Sequence, residues 1–236
     1  MKYFEVIKGF LPLLEQEQEN MEKAGQIIAD TIMNGGIVQT FGSGHSYGGA
    51  IEIAGRAGGL LPVKAVYEET FGRYERIEGV GSEFVKYWDL RENDCVIIIS
   101  NSGRNPFIIE LALFAKSKKV PLIAVTALEV SKKTPSRHSS GKRLFEIADV
   151  VLDNHSVDGD AAVEIEGLRA KVGGTSSIST DLLLNQTVIF AIEEMLSKGF
   201  EPPVLLSANI DGGPEFNERL MEKYKESVGY RITLKK

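Results

Sequence analysis

Apolar residues recur at helical spacing from Tyr3 to about Asn34, through Phe4, Ile7, Phe10 and Leu14, then Met21, Ala24, Ile28 and Ile32. Pro12 is expected to kink or divide this segment, and Asn34-Gly35-Gly36 to stop it. Beyond it the pattern changes to short, evenly apolar runs. Ile37 to Phe41, Pro62 to Tyr67, Val96 to Ile99, Val120 to Thr126 and Ala148 to Leu152 read as strands. Between them lie helical patterns from Tyr47 to Gly59, around Glu83 to Trp88, and from Asn105 to Lys118. Ser131 to Lys142 reads as an exposed polar loop, and Asp153 to Gly174 shows no clear period. Thr175-Ser176-Ser177 opens a long helix to about Lys198, with Gly199 as its stop, and a last helix begins near Glu215.

Strands that alternate with helices imply right-handed βαβ units and one parallel sheet. The expected fold is α/β: a three-layer, doubly wound sheet of five parallel strands in the flavodoxin-like order 2-1-3-4-5. A helical segment over residues 1–36 precedes the core (37–200), and a tail with a helix (201–236) follows, all in one domain. Helices placed before the first strand need a surface to cover. A partner subunit is the expected surface, in a homodimer or homotetramer.

With that strand order, a ligand binds in the crevice between the loops after strands one and three. Those loops, Gly42 to Ser46 and Ser100 to Asn105, are the most Ser- and Gly-rich strand exits in the chain. In the second, the buried run ending at Ile99 feeds Ser100-Asn101-Ser102-Gly103 into a helix that begins at Asn105-Pro106. Backbone N–H groups, hydroxyls and the positive end of a helix dipole then converge on one place, which suits an anion. Ser43, Gly44, Ser46, Ser100, Asn101, Ser102, Gly103 and Asn105 are the phosphate-binding candidates, and Arg104 adds charge beside them. A dinucleotide fingerprint is incomplete, because Tyr47 stands where the third glycine belongs, although Glu68 or Glu69 falls where a ribose-binding acid would. A Walker-type Gly-Lys-Ser/Thr loop is missing. A small phosphorylated ligand needs neither.

Composition sharpens this picture only at its edges. A 43% hydrophobic and 25% charged chain can build a full core, and a net charge of −6 argues against nucleic acid or an anionic membrane as partner. It does not argue against one phosphate held by a local turn. The single cysteine, Cys95, excludes an intrachain disulfide and a multi-cysteine zinc site, and is expected to be a buried, inert thiol. The first residues, MKYFEVIKGF, form neither a signal peptide nor a membrane span, so a cytoplasmic location is expected.

Gly42-Ser43-Gly44-His45-Ser46 after one strand and Ser100-Asn101-Ser102-Gly103 after the next but one resemble the SIS (sugar isomerase) domain. Lys171 to Phe200 resembles the Thr/Ser-led final helix of its arabinose-5-phosphate isomerases, and the order of elements resembles the phosphoheptose isomerase branch. The resemblance implies a phosphosugar ligand. Ser46 would contact the phosphate from the first loop, and Ser100, Asn101 and Ser102 from the second. Asn105 departs from the Ser or Thr usual at its position. The N-terminus of the last helix, with Thr175 and Ser176, would face the sugar.

Aldose–ketose isomerisation moves a proton between neighbouring carbons, work suited to Glu or His. His45 lies within the first ligand loop, and His155 follows the fifth strand on the same sheet edge. The glutamate that phosphoheptose isomerases use on the first helix is replaced here by Gly55 and Arg56, which leaves Glu52 one turn earlier. No cofactor is expected. The one zinc set that the resemblance admits would use His155 with Asp158 or Asp160, yet no two histidines fall at ligand spacing on one helix. Three readings stay open: a sugar-phosphate isomerase, a non-catalytic phosphosugar sensor or regulatory protein, and an etherase acting on an amino sugar phosphate.

Overall fold

Five apolar runs form the strands of the computed structural model, which describes residues 1–228. They are β1 (Val38–Gly42), β2 (Val63–Val66), β3 (Cys95–Ile99), β4 (Leu122–Thr126) and β5 (Val150–Asp153). All pairings are parallel, in the order β2-β1-β3-β4-β5, with Val38 opposite Val63 on one side and Cys95 on the other. Every residue of β1, β3 and β4 is buried, as expected for parallel strands covered on both faces.

Alternation along the strands makes two cores. Val38, Cys95, Ile97, Ile99, Ile123 and Val125 face α2 (Gln18–Met33) and α7 (Ser176–Ser197). Phe41, Val96, Ile98, Leu122 and Ala124 face α5 (Pro106–Ser117), with α4 (Val80–Phe84) packed outside it. The three-layer, doubly wound architecture follows from that period-two pattern.

Several elements depart from the sequence reading. α1 (Lys2–Glu15) runs through Pro12, and the division between the first two helices falls after Glu15 instead. Pro12 lies on the exposed side, where a lost helical hydrogen bond is replaced by water. The surface that α2 covers is the chain's own sheet and α7: Ala24, Ile28, Ala29 and Ile32 are sealed in the first core. α1 leaves Phe4, Leu11 and Leu13 exposed. α3 (Tyr47–Glu52) is shorter than its apolar pattern, since Gly55 and Gly58 take positive φ just beyond it. The stretch from Ser131 starts inside α6 (Leu128–Lys133), with Ser131 itself buried.

The unperiodic segment contains a two-stranded antiparallel hairpin, β6 (Ala161–Val163) and β7 (Val172–Gly174). Strands of three residues are too short to show a period. The hairpin is held from outside, where the Tyr3 hydroxyl donates to the Gly174 carbonyl at 2.6 Å. In the tail, Val204 bridges Leu60 beside the sheet edge, and α8 (Gly213–Lys223) and α9 (Lys225–Val228) follow. Residues 229–236 of the expected tail lie outside the described residues. Among the described residues, no helix is long and apolar enough to cross a membrane.

Candidate functional site

β1 and β3 are neighbours, with Gly42 opposite Ile99, so the loops that leave them rise side by side. The first turns at once, because a side chain on Gly42 would stand 2.2 Å from the Ser46 carbonyl oxygen. A one-turn helix, Gly44–Ser46, then leads into α3. The cleft between the two loops has a volume of about 350 Å³ and is lined by Ser43, Gly44, His45, Ser46, Ser100, Asn101, Ser102, Asn105 and Ser176. A narrower extension runs from His45 and Ser46 to Gly49, Ser177 and Thr180.

The second loop is held so that its carbonyls face away from this cleft. Thr126 Oγ1 donates to the Asn101 carbonyl at 2.9 Å, Ser131 Oγ to that of Ser102 at 2.8 Å, and the Leu144 N–H to that of Gly103 at 2.8 Å. Gly103 turns the chain at φ +57°, and a Cβ there would meet Ser131 Oγ at 2.9 Å. With three successive carbonyls tied back, the N–H groups of Asn101, Ser102 and Arg104 have no protein acceptor among the described residues. Asn105 is the N-cap of α5 but makes no side-chain cap, and the Phe107 N–H of the first turn donates instead to the Glu75 carbonyl at 3.2 Å. Ser43 Oγ is buried without a partner, and the hydroxyls of Ser46 and Ser102 make no hydrogen bond among the described residues. Such an array of donors without acceptors has the chemistry that an anion would require.

Other sequence-predicted residues are placed differently. The Asn101 side chain belongs to a polar network, its Oδ1 accepting from Asn154 Nδ2 at 2.8 Å, so only its backbone faces the cleft. Ser100 Oγ accepts the Gly103 N–H at 3.3 Å. Thr175 is fully buried, and its hydroxyl donates to the Asp160 carbonyl at 3.0 Å beside Ser156 Oγ at 2.8 Å. The N-terminus of α7 is filled by Asp160, whose carboxylate takes the N–H groups of Thr175 and Ser176. At the α5 end Pro106 has no N–H and the Phe107 N–H is taken by the Glu75 carbonyl at 3.2 Å, so donors to a ligand come chiefly from the loop before that helix.

The three proton-transfer candidates separate. His45 is exposed in the cleft, its ring 6.2 Å from that of Phe71. Glu52 lies outside the cleft lining, its carboxylate bound by Arg56 and by the Asn185 amide at 3.0 Å. His155 stands at the end of β5 with φ +51°, its Nε2 3.2 Å from Glu17 Oε1 and its Nδ1 3.6 Å from Asp153 Oδ2. It joins the helical N-terminal segment to the sheet rather than lining the cleft. Among the described residues no three His, Cys, Asp or Glu side chains converge as a metal set.

Sequence reasoning missed the opposite wall. Phe71, Gly72 and Glu75 close the cleft from a loop that follows β2, and Glu68 shapes that loop by accepting the N–H groups of Thr70 and Gly72 at 2.6 and 2.8 Å. The signal available was the acidic residue two and four positions before small turn residues, a carboxylate-capped turn.

An open α/β sheet with its ligand cleft at the switch point, flanked by two serine-bearing loops, defines the class of this protein. It belongs to the SIS domain family, whose model matches residues 2–127. A UPF0309 protein of Listeria monocytogenes is 52% identical over 229 residues, covering 97% of this chain and 98% of that protein. Among solved structures, a phosphoheptose isomerase from Francisella tularensis superposes with a TM-score of 0.53 at 17% identity, covering 81% of this chain and 95% of that one. The sugar isomerase domain of an RpiR transcription factor from Sphaerobacter thermophilus gives 0.52 at 17% identity, over 95% and 96%. At those identities the likeness is one of fold.

Proposed function

We propose that the cleft binds a sugar phosphate and that the chain acts on it as an isomerase of the phosphoheptose isomerase type. One observation carries the phosphate half: three successive carbonyls of the second loop are tied back by hydrogen bonds, while the N–H groups of Asn101, Ser102 and Arg104 have no acceptor among the described residues. The N–H groups of Asn101, Ser102 and Arg104 and the hydroxyls of Ser43, Ser46 and Ser102 are donors suited to a phosphate. The sugar would extend toward Ser176 and the narrow end of the cleft at Thr180. The Francisella neighbour, a phosphoheptose isomerase by its title, supports this direction.

The reaction takes a proton from the carbon beside the carbonyl, forms an enediol, and returns a proton to the former carbonyl carbon. The hydroxyl proton moves in the same direction, from the oxygen of the neighbouring carbon to the former carbonyl oxygen. Electrons balance within the substrate, so the proposal includes no redox cofactor. Of the three proton-transfer candidates, His45 is the one that lines the cleft, and we assign the proton transfer to its imidazole. A second reading, phosphosugar binding without turnover, is favoured by the engagement of Glu52 with Arg56 and Asn185, away from the cleft. We also propose a homodimer or homotetramer, with the exposed apolar side of α1 in its interface.

A thermal-shift screen of sugar phosphates against the same unphosphorylated sugars, followed by NMR detection of aldose–ketose interconversion, tests the proposal. Stabilisation by phosphates alone together with turnover supports the isomerase. Stabilisation without turnover leaves the second reading, and stabilisation by the free sugars alone overturns the phosphate assignment.

A further inference from the structure

We propose that Arg76, Arg104 and Arg137 form a cationic wall of this site that binds the ligand's phosphate as its dianion. The inference rests on the phosphate reading above and adds residues from loops that neither the family resemblance nor the strand order points to.

Three loops bring these residues beside Asn105 and Glu75 at the rim of the cleft. Arg104 follows Gly103 in the second loop, and its Nε is buried with no hydrogen-bond partner. The Arg137 N–H donates to the Arg104 carbonyl at 2.9 Å, and Arg137 Nη1 donates to Asn105 Oδ1 at 2.8 Å. The loop bearing Arg76 is fastened to both neighbours. The Phe107 N–H, in the first turn of α5, donates to the Glu75 carbonyl at 3.2 Å, and the Glu78 carboxylate accepts the Ser139 N–H at 2.9 Å.

None of the three guanidinium groups forms an ion pair among the described residues. Like charges drawn together without a counter-ion cost energy that a bound anion returns. Burial, then the guanidinium groups of Arg104 and Arg76, push the Arg137 pKa below its ordinary value, and Glu75 pulls the other way. Glu75 opposes the three arginines, while Glu78 is engaged by the Ser139 N–H and Asp160 by the N–H groups of Thr175 and Ser176, so a phosphate dianion would add the counter-charge that the arginines lack. This concentration of charge is local, because the chain as a whole is acidic, at −6.

Arg137 also explains Asn105, which stands where the resemblance leads one to expect Ser or Thr. A guanidinium can only donate, so the Asn105 atom that faces it is the carbonyl oxygen. That oxygen is thereby withdrawn from capping α5, and the amide NH₂ is left as a donor in the cleft.

The test is isothermal titration of the full chain with inorganic phosphate, on either side of its second ionisation, which lies about one pH unit above the ~6 of a phosphomonoester. Arg137→Gln and Arg76→Gln are each expected to weaken phosphate binding by roughly tenfold or more, as for a lost hydrogen bond to a charged group. Both side chains are exposed, so the unliganded melting midpoint should not move. Wild-type affinity should rise as the dianion forms, and that rise should shrink in both variants. Wild-type affinity in both variants, alongside a loss in Ser102→Ala, overturns the cationic wall and leaves the phosphate site standing. Failure of the wild-type chain to bind phosphate at all overturns both.

Discussion

The carboxylate of Asp160 accepts the backbone N–H of Ser176 at 2.7 Å, so the N-terminus of α7 carries an anion of its own. Burial pushes this carboxyl's pKa up, but the N–H groups of Ser176 and Thr175 and the Ser156 hydroxyl outweigh it, and the net shift is down from 3.8. A depressed folded pKa contributes stability above the ordinary carboxylate value, and that stability is lost as pH falls through the folded value. Asp160→Ala is expected to cost about 0.5–2 kcal/mol near neutral pH, the range of a lost helix cap. Denaturant unfolding of both forms checks this. The gap should close as the pH falls from the ordinary carboxylate value through the lowered folded one, because protonation removes the charge in the wild type; a gap unchanged in acid would show that the carboxylate's charge is irrelevant.

Hydroxyls that have no partner among the described residues should matter to the ligand and little to the fold. Ser102→Ala and Ser43→Ala are each expected to lower sugar-phosphate affinity roughly ten- to a hundredfold, the worth of a hydrogen bond to a charged group. Affinity for an unphosphorylated sugar should be unchanged. Thr175→Ala should behave in the opposite way, lowering the melting midpoint with little effect on affinity, because its hydroxyl is bonded to Asp160 and Ser156. Calorimetry and melting curves on the same three variants separate the two roles.

What the sequence made legible were the features with a strong local cause. The apolar runs around Ile97 and Ile123 read as buried strands, alternation with helices implied a parallel sheet, and the order expected for it, the common 2-1-3-4-5, is the one the sheet has. The two Ser/Gly loops followed from that order. The remainder depended on distant contacts. Pairing of β6 with β7 relies on the Tyr3 hydroxyl, which comes from the other end of the chain. Glu75 reaches the cleft because the Phe107 N–H holds its carbonyl, and His155 is drawn away by Glu17. No pattern within a short window encodes such partners.

Gly103 is where the backbone itself is under test. At φ +57° an L side chain is strained, and its Cβ would press on Ser131 Oγ, which holds the Ser102 carbonyl out of the cleft. Gly103→Ala is expected to cost about 1–3 kcal/mol from backbone strain. It should also weaken phosphate binding more than Ser131→Ala does, since it disturbs the loop and its tether together. Equal affinity in Gly103→Ala and wild type would mean that the tied-back loop is not the phosphate grip.

Cys95 begins β3 with no exposed surface, and burial pushes its thiol pKa up to about 12, with Thr31 hydrogen bonding pulling slightly the other way and Asp94 adding to the rise. Only the thiolate reacts with a disulfide reagent. The native chain should therefore give no thiol signal with Ellman's reagent at pH ~8, and one full equivalent once unfolded in guanidinium. Because β3 is the central strand that ends in the phosphate loop, the rate of labelling reports the opening of that strand. A saturating sugar phosphate should slow it, by the stabilisation that binding confers on the folded state.

His45 decides between the two readings of function. Its ring lies in the cleft lining beside Ser46 and Phe71, while the carboxylate of Glu52 is held by Arg56 and Asn185 and His155 by Glu17. If the chain is an isomerase, proton transfer falls to His45, and His45→Gln should lower kcat by roughly 10²–10⁴, the usual contribution of a general acid–base group, with KM for the sugar phosphate little changed. The exposed ring makes no hydrogen bond among the described residues, so the melting midpoint should stay within a degree or two of wild type. Glu52→Gln should then leave kcat unaltered, since that carboxylate does not face the substrate. Loss of turnover in Glu52→Gln with full activity in His45→Gln would move the base to α3, and would require α3 to release Glu52 from Arg56 when substrate binds.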